Sequence, residues 1–435
     1  MDATDITDPP RITHTLPNGL RVVVVPLPHL HTSAAQLTVR AGSRYEDAAT
    51  AGISHFVEHM LYRGSAAYPT TFALNRAIER QGGGLYAETS RELTSYLLDS
   101  PPESLPALLE VLADAVIRPG WYEMDTERRI VLEELLEDLD EDGQLICTED
   151  LARGLAWGDH PLGLPIAGTQ ASVSAYTPEQ VAAHHARHYT GANSVLCVAG
   201  PFEPAAVVEV AARCFADLPG GEQVTPARAP DAVAGPGFQY VRYLESQTTL
   251  NLMVQGLADP HALSGAQSLM LRILDDGLST RLYQRIINEL GLAYSVSAMS
   301  ESLEDVVLVD LCASCAHPSA GQMVQQVLSL LAELRDQPPD ADDFEMARQR
   351  MLWDVRAGLD SPRAMVEFHT TCELLNRPRS MQARVKQILT ASPADVQQVA
   401  RQILRPERWT LACVGKLNAN QQGTLRELTE SGGPK

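Results

Sequence analysis

Apolar residues fall in two kinds of pattern along the chain: short β-branched runs bounded by turn residues, and stripes spaced three and four apart. In "LPNGLRVVVVP", Asn18-Gly19 is turn chemistry, Arg21 to Val25 reads as a strand, and Pro26 ends it. A second strand is expected over Ala34 to Arg40. A glycine-bearing loop follows from Ala41 to Gly52, then a helix from about Ile53. "YPTTFALNRAIERQGG" predicts a helix opened by proline and threonine and stopped by Gly82 to Gly84. "LYAETSRELTSYLLDSP" has β character and predicts a hairpin. Two amphipathic helices follow, in "PESLPALLEVLADAVIRP" and "DTERRIVLEELLEDLDED", the second with Asp125 as its expected cap.

The pattern then breaks. Leu218 to Gly237, "LPGGEQVTPARAPDAVAGPG", is rich in Pro, Gly and Ala and has no apolar period. It reads as a linker flexible enough to place two halves in several ways. Beyond it the earlier order returns: strand-like "TTLNLMVQGL", a long helix, "GLAYSVSAMSE" and "VVLVDLCASC" as strands, then helices to the end. This order predicts a duplicated α+β unit, with residues 1–218 as one domain, 219–237 as linker and 238–435 as the other. A length of 435 residues agrees, being too great for one compact core.

Charge narrows the function. Lys and Arg number 34 against 55 Asp and Glu, a formal net charge of −21. A surface this acidic argues against nucleic-acid binding, which needs a basic footprint, and tolerates basic partners. "MDATDITDPP" lacks the basic and apolar regions of a signal peptide, and no apolar run approaches the ~20 residues of a membrane span. The seven cysteines are odd in number and scattered, so the expectation is a reducing cytoplasm and no membrane. Cys312 and Cys315 form a C-x-x-C inside an apolar β-like run with no second pair nearby, and read as buried free thiols.

The candidate chemistry lies in "SHFVEHMLYRG", Ser54 to Gly64. On a helix, His55 and His59 are neighbours on one face and can present two imidazoles to one ion, with Glu58 on the same side. The order His-x-x-Glu-His reverses the commoner His-Glu-x-x-His. With twelve histidines in the chain, composition alone yields it on the order of 0.02 times. Glu58 would take a proton from an attacking water and give it to a leaving amine. A third ligand is needed, and "TERRIVLEELLED" offers Glu127, Glu133, Glu134, Glu137 and Asp138. Glu127 and Glu134 lie within about 20° of each other on one helix face, with Val131 between them. Glu133 points about 100° from Glu134. Carboxylates on a partly apolar face need a partner or a metal. Periodicity alone leaves the ligand open. The acidic run from Glu137 to Asp142 reads as a solvated helix.

These residues carry a resemblance. "LPNGLRVVVVP", "AGSRYEDAATAGISHFVEHMLYRGS", "ERRIVLEEL", "HPLGLPIAGT" and "STRLYQRIINELGLAYSVSA" spread over both halves. The chain resembles the pitrilysin/insulinase family of zinc peptidases, in the short branch that includes mitochondrial processing peptidase subunits and their bacterial relatives. The resemblance implies one Zn²⁺ per chain, held by His55, His59 and a glutamate about 75 residues beyond the second histidine, which is Glu134. It implies Glu58 as the general base and Glu127 as an outer partner that helps hold the site. It implies that Arg285 and Tyr294, in "RIINELGLAY", grip the substrate, Arg donating to a carbonyl and Tyr to the developing oxyanion. The chain departs from the family at Tyr86-Ala87-Glu88-Thr89, where the family reads Asn-Ala-x-Thr on an active-site edge strand. A peptide would pair there beside Ala87 by β-addition. The implied fold is two related domains, each a mainly antiparallel sheet flanked by helices. The implied assembly is a clamshell, as a homodimer or as a heterodimer with a related subunit. The implied activity is zinc-dependent endopeptidase action on extended peptides or small unfolded segments. The alternative is a non-catalytic or partner-dependent subunit of a heterodimer, which the complete His-Glu-His-Glu set disfavours.

Overall fold

The computed structural model describes residues 6–230, 235–256, 264–375, 377 and 380–432. The first half forms strands β1 (Ile12–Thr15), β2 (Arg21–Pro26), β3 (Ser33–Val39), β4 (Gly84–Thr89), β5 (Thr94–Ser100) and β6 (Ser194–Gly200). They make one sheet in the order β1-β2-β6-β3-β5-β4. The second half forms β7 (Gly237–Arg242), β8 (Thr248–Gln255), β9 (Ala293–Ser302), β10 (Val307–Cys315) and β11 (Trp409–Gly415), in the order β7-β11-β8-β10-β9. In each sheet one pair is parallel, β2 with β6 and β7 with β11, and the rest are antiparallel. Apart from the extra edge strand β1, the two sheets therefore repeat one topology. The fold is α+β, and the duplication read from the order of elements is present in the strand connections.

The unbroken run Val22–Val25 is fully buried because β2 is covered on both faces. Val22 and Val24 pack with the first half's own helices, in a core with Phe56, Val57 and Leu112. Val23 and Val25 pack on the other face, in a core made largely by helices of the second half. The helix Pro362–Leu374 lies across β3 and β6 on that face. The exchange is reciprocal: the helix Thr148–Trp157, from the first half, lies across β8 and β11 of the second sheet. Each sheet thus has its second face closed by a helix from the other half.

Polar contacts fix the same arrangement. Arg40, 1% exposed, pairs with Glu304 at 2.7 Å, and the fully buried Arg44 pairs with Glu92 and with Asp305, the latter at 2.6 Å. Arg153 reaches Asp310 at 2.9 Å. Up to the start of β7 at Gly237, the Pro/Gly/Ala segment from Leu218 lacks helix and strand among its described residues, but it is tied down. Val224 N–H donates to Asn193, Arg44 to the carbonyl of Ala227, and Ala229 N–H to Asp305. Composition showed the missing apolar period. It could not show that side chains of both halves, the buried Arg44 and Asn193 and the half-buried Asp305, bind this backbone, so the flexible linker expected from sequence is a pinned strap over its described residues.

The cap expected at Asp125 is displaced. The helix runs Met124–Glu134, and Glu123, at φ 53, is the cap residue without a side-chain capping bond. Asp125 sits in the first turn, where its charge still complements the helix N-terminus. The cysteines are free; Cys315 is buried and Cys312 half-buried, its Sγ 3.6 Å from Glu149. Among the described residues, no helix is long and apolar enough to cross a membrane.

Candidate metal centre

The motif lies on the helix Ile53–Leu61, whose Ile53, Phe56, Val57 and Met60 are buried against the first sheet. Gly52 starts it at φ 88, and a Cβ there would lie 2.5 Å from the carbonyl oxygen of Ala167. The N–H groups of Gly52 and Ser54 donate to the buried Glu46 carboxylate at 2.7 and 2.8 Å, which caps the helix. The opposite face presents His55, Glu58 and His59.

Glu134, the last residue of its helix, meets the two histidines. The Nε2 atoms of His55 and His59 are 3.2 Å apart, and Glu134 oxygens lie 3.6 Å from His55 Nε2 and 3.5 Å from His59 Nε2. Donors about 2.05 Å from a tetrahedral ion are about 3.3 Å from each other, so these three suit the edges of such a site. Two facing imidazole nitrogens beside a carboxylate form a donor set that could hold a divalent cation. His59 is oriented from behind: its Nδ1 lies 2.7 Å from Glu127, and Arg63 donates to the other oxygen of that carboxylate. Glu133 is exposed and outside the group.

Electrostatics agree with this geometry. Burial, reinforced by His59, pushes His55 down to about 4, which keeps it neutral and able to bind a metal. Burial works against a charged His59, but the hydrogen bond to Glu127 and the surrounding carboxylates lift it above its ordinary value. Burial would push Glu127 up, yet His59 and Arg63 outweigh it and hold the carboxyl low. Burial raises Glu58, with Thr89 donating to one of its oxygens and opposing the rise. Thr89 and Arg63, which hold Glu58 and Glu127 by these bonds, are positions the sequence did not announce. Both stood inside quoted motifs, but the roles depend on partners 31 and 64 residues away.

Asp138, Cys147 and Asp150 also bring three donor atoms together. Burial, with Asp150, pushes the Cys147 thiol up to about 12.

Ala87 lies on β4, the edge of the first sheet, opposite Tyr96 of β5. Side chains alternate along β4, and Ala87 and Thr89 share the face that meets Glu58, while Tyr86 turns away. Arg285 and Tyr294 are elsewhere. Arg285 faces Glu289 at 3.5 Å and Glu333 at 3.4 Å, both in the second half. Tyr294 is on β9, the edge strand that corresponds to β4, and is 95% exposed.

Two family models match the chain in succession. A model of the insulinase family, peptidase family M16, matches residues 21–170, and one of the peptidase M16 inactive domain matches residues 175–351. The chain belongs to the peptidase M16 family. It is 29% identical over 408 residues to an uncharacterized zinc protease of Mycobacterium leprae, covering 92% of this chain and 91% of the relative. It is 25% identical over 407 residues to the uncharacterized zinc protease YmxG of Bacillus subtilis, covering 92% and 97%. Two solved structures share the fold at 20% identity and 94% coverage of this chain. A protease from Helicobacter pylori superposes with a TM-score of 0.84 over 99% of its length. A peptidase M16 inactive domain from Pseudomonas fluorescens gives 0.86 over 98%.

Proposed function

We propose that this M16 chain is a zinc-dependent endopeptidase acting on extended peptides. The observation that carries the reading is the convergence of His55, His59 and Glu134 at 3.2–3.6 Å with an unligated carboxylate, Glu58, beside them. His55, His59 and Glu134 would hold the zinc, which when bound acts as a Lewis acid and makes water more acidic. Glu58 takes the proton of the attacking water and returns it to the leaving amine, and Thr89 holds that carboxylate in place. Glu127 keeps the Nδ1 proton of His59 turned away from the ligand position. β4 supports the reading from the substrate's side. As an edge strand it pairs, among the described residues, with β5 alone, which leaves an extended peptide room to pair beside Ala87.

Arg285 and Tyr294 bear on assembly. Within one chain, Arg285 has acidic partners in its own half and Tyr294 stands in solvent, which supports a grip on substrate supplied from another copy or a related subunit. We infer a cytoplasmic two-chain enzyme, a homodimer or a heterodimer. The test is digestion of an unfolded, casein-like chain and of a tightly folded protein, before and after chelation. Cleavage of the unfolded chain alone, lost with chelator and restored by zinc, supports the proposal. Undiminished cleavage after chelation overturns it.

A further inference from the structure

Among the described residues, Trp121 and Glu123 are the non-glycine residues with positive φ, at 49° and 53°. Glycine adopts this left-handed backbone freely, and an L side chain adopts it at a cost. Such strain persists only where the surroundings hold it, and it collects at functional sites. What holds it here is the end of the motif helix. Gly120 N–H donates to the Gly64 carbonyl and Ala66 N–H to the Arg118 carbonyl, each at 3.0 Å, and Ser65 faces Pro119 in an antiparallel bridge. Trp121 packs edge-on against His185, with ring centroids 5.2 Å apart. Glu123 then opens the helix Met124–Glu134, its carbonyl accepting from the N–H groups of Thr126 at 2.9 Å and Glu127 at 3.1 Å. Its carboxylate accepts from an Arg63 NH1 group at 3.3 Å, while Arg63 Nε donates to Glu127. Two carboxylates at the start of one helix thus share one guanidinium at the end of the other. The other Glu127 oxygen is 2.7 Å from His59 Nδ1, and Glu134 lies about two turns further along the same helix.

We propose that Glu123 and Arg63 are positioning residues for the metal centre: they clamp the start of one helix to the end of the other and so set where Glu127 and Glu134 stand against His55 and His59. The inference rests on the zinc reading of that centre. The left-handed backbone at Glu123 lets its carbonyl start the helix while its carboxylate reaches Arg63. Stability alone would favour glycine or asparagine at such a position, so the glutamate costs stability and contributes the contact. The Glu123 carboxylate is 66% exposed, which makes its share of the clamp small. Arg63, with its side chain 14% exposed and bonded to both carboxylates, carries the larger share. If these residues served only the fold, stability and zinc affinity would move together in their variants. The clamp makes them part.

The test reads two quantities on the full chain: zinc affinity by competition with a chelator, and the denaturant midpoint of the zinc-free protein. Glu123→Asn keeps a residue that tolerates the left-handed backbone and caps a helix, and removes the charge. Its midpoint should rise while its zinc affinity falls about threefold, as for an exposed charge contact. Arg63→Gln should weaken zinc about tenfold. In a chain that already carries Glu127→Gln, the same Arg63 substitution should cost less than about twofold, because Arg63 acts through Glu127. Should Arg63→Gln fail to fold, Arg63→Lys, which keeps the charge and loses the fork, carries the same cycle. Unchanged zinc affinity in Glu123→Asn, or losses from Arg63 and Glu127 that simply multiply, overturns the clamp. The wild-type chain separates the two claims. If it takes up zinc and these substitutions leave that affinity unmoved, the zinc reading stands and the clamp is removed; if it takes up none, the zinc reading fails and the clamp with it.

Discussion

Each carboxylate near the metal group has its own environment, so each predicts a different loss. If Glu134 is the third ligand, Glu134→Gln should abolish tight zinc binding, whereas the exposed Glu133→Gln should leave metal content unchanged. Glu127→Gln should weaken zinc about 10- to 100-fold, as for an outer partner of a ligating histidine. Metal analysis after dialysis against graded chelator separates the three, and equal loss in Glu133→Gln and Glu134→Gln would contradict the helix phase. Thr89→Val should keep zinc and lower kcat, because only the orientation of Glu58 changes. The histidines and Glu58 were legible because a helix brings residues four apart together whatever surrounds it. The ligand choice was not, since periodicity places Glu127 and Glu134 on one face without saying which reaches the ion. Thr89 and Arg63 act across the fold, and no local spacing announces them.

At the level of elements, the start of the motif helix sets where its histidines stand. Gly52 is in the left-handed region at φ 88, where a side chain costs roughly 1–2 kcal/mol, and a Cβ would also press on the Ala167 oxygen at 2.5 Å. Gly52→Ala should therefore lower stability by more than 1 kcal/mol in denaturant unfolding and weaken zinc binding, since His55 follows three residues later. An unchanged midpoint would show that the loop has room to move. The strands and most helices were legible from their periods. The Val22–Val25 run signalled a strand buried on both faces. Its partners on the second face belong to a helix more than 330 residues later, which the run itself cannot name. The cap at Asp125 was misplaced for a related reason: capping rules read side chains, and here a backbone turn at Glu123 opens the helix.

For the whole molecule, the exchanged helices and the buried Arg40, Arg44 and Arg153 pairs make the halves one unit. Proteolytic nicking at the exposed Gly220–Glu222 stretch should leave two fragments that co-elute, and denaturant should unfold both halves together. Separate elution would contradict the exchange. Light scattering should find a dimer, and a monomer that cleaves peptides would contradict the two-chain proposal. The central claim is that His55, His59 and Glu134 hold a zinc that serves a glutamate base. It is tested most directly by measuring zinc content and peptide hydrolysis together in the wild-type chain and in Glu58→Gln. About one zinc per chain is expected in both, and hydrolysis only in the wild type. A wild-type chain that binds no zinc, or a Glu58→Gln chain that cleaves at the wild-type rate, would contradict it.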